Sequence, residues 1–210
     1  MKKYVLIAIG AVLLFVQSCG PSRVLMKKGD TRVVIVETIP RIEEPKWVKS
    51  TKEFWEKKDS YFYRGMSQGY TDPEVSKQDA EAVARTSLAR QIRVVLRDEF
   101  RRALEAQKQD PTIGGYLSDS FVSVVENLEI TGSVLVDSYS ERIQEESHKT
   151  VLKDYWRTYA LVKLPVGEYE KCAKRAFENV KVQVEANESA KDLLEETEKR
   201  FWEQQELKRL

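Results

Sequence analysis

The chain has 210 residues, 41% hydrophobic and 33% charged, with 35 basic side chains against 34 acidic ones. That length builds one domain with a genuine core, and a formal charge of +1 excludes a polyanion binder that works through bulk electrostatics. Two cysteines and one histidine exclude a disulfide scaffold, a zinc ribbon and a histidine-rich metal cage, so no metal and no cofactor is expected.

Residues 1–18 read as a signal peptide. Lys2 and Lys3 give it a positive start, and Val5 to Val16 is an apolar stretch too short to cross hydrocarbon about 30 Å thick. The run Val16-Gln17-Ser18-Cys19-Gly20 then resembles the bacterial lipobox, with Gln17 its less usual member. The resemblance implies cleavage before Cys19, a thioether-linked diacylglycerol on its sulfur, and acylation of the new amino terminus by a chain such as palmitate. Two or three acyl chains, at ~0.8 kcal/mol per buried CH₂, hold a protein on a bilayer without a spanning helix. Gly20 in place of Asp after the cysteine resembles lipoproteins released to the outer membrane. The expected location is therefore the bacterial cell envelope, lipid-anchored, at the outer membrane.

Residues 19–44 suit a tether with one short strand, Arg32–Glu37, broken by Pro40 and Pro45. In the segment 45–165, Trp47 is expected to dock on the domain and Tyr61–Met66 to form a strand. Asp72 and Pro73 make a helix start, and Ala80, Val83, Ala84, Leu88, Ile92, Val95, Leu96, Glu99 and Leu104 follow at helical steps. The spacing predicts a helix over 73–108, ended by Asp110-Pro111. Ile113, Tyr116, Leu117, Phe121, Val124, Val125 and Leu128 mark a second amphipathic helix. Two strands follow, Glu129–Ile143 and Tyr155–Val162, around a polar turn at Gln144–Lys149. Residues 166–210 read as one charged carboxyl-terminal helix whose Glu185–Arg200 stretch projects or frays. The fold class expected is α+β: a small antiparallel sheet of about three strands with helices packed on it, in the order strand-helix-helix-strand-strand-helix.

Four motifs carry a resemblance to a known family. They are Pro45-x-Trp47-Val48, the strand Tyr63-Arg64-Gly65-Met66-Ser67, the helix Ala80-x-Ala82-x-Ala84-Arg85-x-x-Leu88-Ala89-x-x-Ile92, and Tyr155-x-x-x-Tyr159-Ala160-Leu161-Val162. Over residues 45–165, together with the lipobox, the chain resembles the LPP-twenty family of bacterial envelope lipoproteins, which includes proteins linked to flagellar assembly. The resemblance implies a compact sheet-and-helix domain in a non-enzymatic envelope role and brings no catalytic residues. The charged tail lies outside it.

The chemistry-bearing candidates are few. Gly65-Met66-Ser67-Gln68-Gly69 matches the G-x-S-x-G nucleophile elbow, and Asp137 and His148 follow in hydrolase order. An elbow needs a helix directly after its serine, whereas Thr71-Asp72-Pro73 intervenes here, and His148 sits in what reads as a solvated hairpin tip. Glycines easing a strand end against a helix are the plainer reading. Cys172, at an apolar helix position, reads as a small buried hydrophobe. Arg90, Arg93, Arg97 and Arg101 lie three or four apart and form a candidate basic surface for anionic lipid headgroups, a glycan polymer or nucleic acid, but Asp98, Glu99 and Glu105 interrupt it and a solvated helix face is the plainer reading. Phe201 and Trp202 are candidate anchors of a partner helix. The sequence thus points to a structural or interaction module tethered at Cys19, with a membrane and an envelope protein or a second copy as partners and no nucleic acid. Two competing readings remain, a subunit of an envelope assembly such as a flagellar-associated ring and a lipid-anchored serine hydrolase using Ser67.

Overall fold

A computed structural model describes residues 23–28, 30–107 and 110–209. The signal peptide and Cys19 lie outside the described residues. The chain runs β1 (Arg23–Lys28), β2 (Thr31–Ile39), β3 (Phe54–Lys57), β4 (Ser60–Met66), α1 (Pro73–Glu105), α2 (Pro111–Glu126), β5 (Val134–Ser147), β6 (Thr150–Pro165), α3 (Val166–Val184) and α4 (Glu188–Arg209). The strands form one curled sheet in the order β1-β2-β5-β6-β4-β3, with every neighbouring pair antiparallel.

This corrects the expected fold. The sheet has six strands rather than about three, and the element order is longer than strand-helix-helix-strand-strand-helix. β1 and β2 fall in the stretch 19–44. β1 is exposed at every residue, so its sequence, RVLMKK, carries no alternation that would reveal it. β3 is four residues long and pairs with β4 across a turn at Lys58-Asp59 that has no glycine. Its Trp55 stacks on Phe62 at 5.7 Å, a cross-strand aromatic pair that stabilises so short a strand.

The β5–β6 hairpin is also longer than its apolar content suggests. Gln144–Ser147 continue the strand, and His148 and Lys149, both in the left-handed region at φ 49° and 66°, make a two-residue turn. Polar cross-strand pairs hold this extension in register. Arg142 donates twice to Asp154, at 2.9 and 2.7 Å, and Lys153 pairs with Glu145 at 3.1 Å.

All four helices lie on one side of the molecule, with α1 against β4 and β6. Asp72 caps α1 by accepting from the backbone N–H of Glu74 and Val75, and Asp110 caps α2 in the same way from Thr112. On the sheet side, α1 buries Ser76, Ala80 and Ala84, and there the backbones nearly touch. A Cβ on Gly65 would stand 2.5 Å from the Ala80 carbonyl oxygen. Further along, α1 buries Ile92, Leu96, Phe100 and Leu104 against the other helices. Phe100 stacks on Phe121 of α2 at 3.8 Å, and Phe177 of α3 bridges that pair to Phe201 of α4.

The tail neither projects nor frays. The helix breaks at residues 185–187, between Val184 and the next apolar positions. Asn187 restarts it by accepting from the Ala190 N–H, and α4 folds back to bury Ala190, Leu194 and Phe201. The physical reason is the gap in the apolar stripe. One straight helix would leave its second half without a partner, whereas a break lets both halves face α1 and α2.

The opposite face of the sheet is crossed by the chain between β2 and β3, which joins strands near opposite edges. Trp47 Nε1 donates to Asp137 of β5 at 2.9 Å, and Arg64 of β4 donates to the carbonyls of Val48 and Ser50. Val48 is buried, as are Ile35, Tyr139, Ile143 and Leu161 on the strands, so a second, smaller apolar cluster lies there. Among them Glu141 is buried and pairs with Arg157 at 2.7 Å, while Arg157 also covers the Tyr159 ring.

Candidate functional site

The structure does not bring Ser67, Asp137 and His148 together. Ser67 is 2% exposed and belongs to a chain of buried hydroxyls between β4, α1, β6 and β5. Thr158 N–H donates to Ser67 Oγ at 2.9 Å, and Ser67 Oγ lies 2.8 Å from Ser76 Oγ. Ser76 Oγ donates to the Trp156 carbonyl at 3.0 Å and accepts from Thr158 Oγ1 at 2.9 Å, which fixes Ser67 as the donor to Ser76. Ser140 completes the chain on Thr158, at 2.9 Å. Both hydrogen-bonding roles of Ser67 are thereby filled inside the protein, where an unpartnered hydroxyl would be costly.

His148 stands at the tip of the β5–β6 hairpin. It is 77% exposed, with Nε2 at 3.2 Å from Asp30 and Nδ1 at 3.1 Å from the Ser147 hydroxyl. Seven residues of strand, Glu141–Ser147, separate it from Ser140, about 25 Å at the ordinary rise. Asp137 accepts from Trp47 on the face away from the helices. Gly65 lets α1 approach β4, and Gly69, at φ 104°, lies where a Cβ would strike the Tyr155 ring. Packing therefore explains both glycines of the motif.

The arginine stripe is partly consumed in holding α1 to the end of α2. Arg93 donates from Nε and Nη2 to the Leu128 carbonyl, and Arg97 pairs with Glu126 at 3.6 Å. These contacts place cations where a helix carboxyl terminus presents unpaired carbonyls. Arg90 and Arg101 remain exposed, and Arg85 binds Glu81 and Ser133.

The two aromatic residues of the tail have different surroundings. Phe201 is fully buried against Phe177, and Trp202 is half-buried between Phe201 and Lys174. Cys172 is a free, buried cysteine 3.3 Å from Arg175 Nη2. Beside it, a cleft of about 370 Å³ opens between α2 and α3, lined by Ser123, Asn127, Arg175, Asn179 and Gln183. With Glu129 also on its wall, it offers one guanidinium, one carboxylate, a hydroxyl and several amides, a set that hydrogen-bonds a small polar group. Among the described residues, no group of histidine, cysteine and carboxylate side chains is placed to hold a metal ion, and no helix is long and apolar enough to cross a membrane.

Sequence reasoning missed a buried carboxylate cluster. Glu99 of α1, 2% exposed, accepts from Tyr169 of α3, from Gln205 at 2.7 Å, and from Lys208 of α4. Burial first, then the neighbouring Glu99 charge, pushes the Tyr169 hydroxyl well above its ordinary range. The visible signal was a glutamate on the apolar face of a predicted helix. What the sequence does not reveal is that the tail returns to supply its cation.

Compared with protein-family models, curated proteins and solved structures, the chain matches none.

Proposed function

We propose that this chain is a lipid-anchored bacterial envelope protein, held at the outer membrane through Cys19, whose domain serves as a non-enzymatic structural or interaction module of the LPP-twenty kind. The observation that carries the proposal is the run Val16-Gln17-Ser18-Cys19 behind Lys2, Lys3 and a short apolar stretch. The engagement of Ser67 in the buried hydroxyl chain supports the non-enzymatic part, because a nucleophile needs a free hydroxyl beside its base. The mechanism is positional. The lipid fixes the domain at the bilayer, and the domain offers its surface to a neighbouring envelope component.

Crosslinking in intact membranes tests this, with the wild-type chain compared with Cys19→Ala and the captured proteins read by mass spectrometry. Recovery of one set of envelope proteins, lost in Cys19→Ala, is the expected result. A chain that crosslinks only to itself favours a subunit of an assembly. Ester hydrolysis abolished by Ser67→Ala would overturn the non-enzymatic reading.

A further inference from the structure

We infer that the sheet edge formed by β1 and the tip of the β5–β6 hairpin is a membrane-facing patch that binds an anionic lipid surface. The inference rests on lipid anchoring at Cys19. Three residues separate Cys19 from β1, so Arg23 lies within about 14 Å of the anchored residue even with the connection fully extended. Whatever holds Cys19 at a bilayer therefore holds the start of β1 there too.

β1 exposes Val24, Leu25 and Met26 at 55, 39 and 61%, and the hairpin tip exposes Val151 and Leu152 at 47 and 59%. The strand register brings the Lys28 end of β1 and the hairpin tip to the same end of the sheet, with β2 and β5 between them and about 14 Å from β1 to β6. Lys27 pairs with Arg32, which pairs with Glu146, which pairs with Val151.

The charges at this end are unbalanced in a direction that suits phosphate headgroups. Two of its acids are already matched, Glu146 with Arg32 and Glu145 with Lys153, which leaves Asp30, 3.2 Å from the His148 ring, against three lysines. Lys27, Lys28 and Lys149 have no ion-pair partner among the described residues. Apolar side chains among unmatched lysines are the composition that settles at a headgroup boundary. The same lysines oppose edge-to-edge pairing with a second copy, since adjoining edges would bring like charges together. The geometry required is specific. β1 must lie along the bilayer, because a strand standing on its normal would carry Lys28 beyond the reach of the surface field, which decays over about 8 Å at physiological salt.

The test uses the lipidated protein purified from membranes and reconstituted into vesicles of phosphatidylethanolamine and phosphatidylglycerol. An environment-sensitive fluorophore is placed by Met26→Cys, by Leu152→Cys and, as a control on α3, by Val182→Cys, whose position is 73% exposed. Cys172 is buried and stays unlabelled. Nitroxides carried on the lipid should quench the labels at 26 and 152 and leave the one at 182 bright. Lys27→Gln with Lys28→Gln should weaken that quenching by about fivefold per lysine, as should vesicles of neutral phosphatidylcholine. A label at 26 as bright as the one at 182, in protein that floats with the vesicles, would overturn the inference and leave the anchor standing. A label shielded from aqueous iodide yet untouched by lipid nitroxides would overturn it in favour of a second copy on β1. Protein that does not float and carries no lipid on Cys19 would remove the anchor itself, and this inference with it.

Discussion

Along the buried face of α1, Ser76, Ala80 and Ala84 meet the sheet, while Ile92, Leu96, Phe100 and Leu104 meet the other helices. The first stretch lies in backbone contact with β4 at Gly65, and the second fills the wider spacing between helices with side chains. One helix therefore has an end that tolerates no added atom and an end that tolerates no lost one. The polar groups follow the same division. Hydroxyls, which are small and can both donate and accept, satisfy one another under the close end, whereas a full carboxylate with its tyrosine, glutamine and lysine fits under the wider end.

Substitutions can break this contrast, and the largest effect belongs to the side-chain end. Phe121→Ala should lower stability by about 3–5 kcal/mol in urea unfolding, because it leaves a cavity beside Phe100 and Phe177. Gly65→Ala adds one methyl group against helix backbone and should cost about 1–3 kcal/mol or more. Gly115→Ala, where a Cβ meets open space on α2, should instead raise stability by about 0.5–1 kcal/mol. A loss at 115 equal to that at 65 would contradict the close-contact explanation. Ser67→Ala deprives the Thr158 N–H of its acceptor and should cost about 1–3 kcal/mol while leaving Cys19-dependent crosslinking unchanged.

The last substitution concerns Tyr169, where Tyr169→Phe removes a buried hydrogen bond to the Glu99 carboxylate and should cost about 1.5–3 kcal/mol at neutral pH. The Tyr169 hydroxyl stays protonated in the folded chain beyond the ordinary tyrosine value of 10.0, so the unfolded chain loses that proton first. This contribution to stability is complete below pH 10.0 and declines as the pH rises above it. Tyr169→Phe should flatten that alkaline decline, and denaturant titrations at neutral and alkaline pH measure it.

Legibility in the sequence divided along similar lines. The long helix showed itself through Asp72-Pro73 and its apolar period, because a helix with one buried face writes that face every three or four residues. β1 did not, since an edge strand exposed on both sides has no face to write. The charged half of the hairpin resembled a turn because its register is held by Arg142, Asp154, Glu145 and Lys153 rather than by apolar alternation. The tail read as a single projecting helix because Asn187 is a break visible only once α4 has folded back. Ser67 matched a catalytic pattern by residue type. Its true neighbours, Ser76, Ser140 and Thr158, come from three other elements that no local motif links.

The mass of the amino-terminal peptide of the protein recovered from bacterial membranes tests the central proposal most directly. A chain that begins at Cys19, heavier by a thioether-linked diacylglycerol and an amide-linked acyl group, is the predicted result. A mature chain that begins elsewhere, with an unmodified Cys19 thiol, would contradict the lipid anchor and the membrane-facing edge built on it.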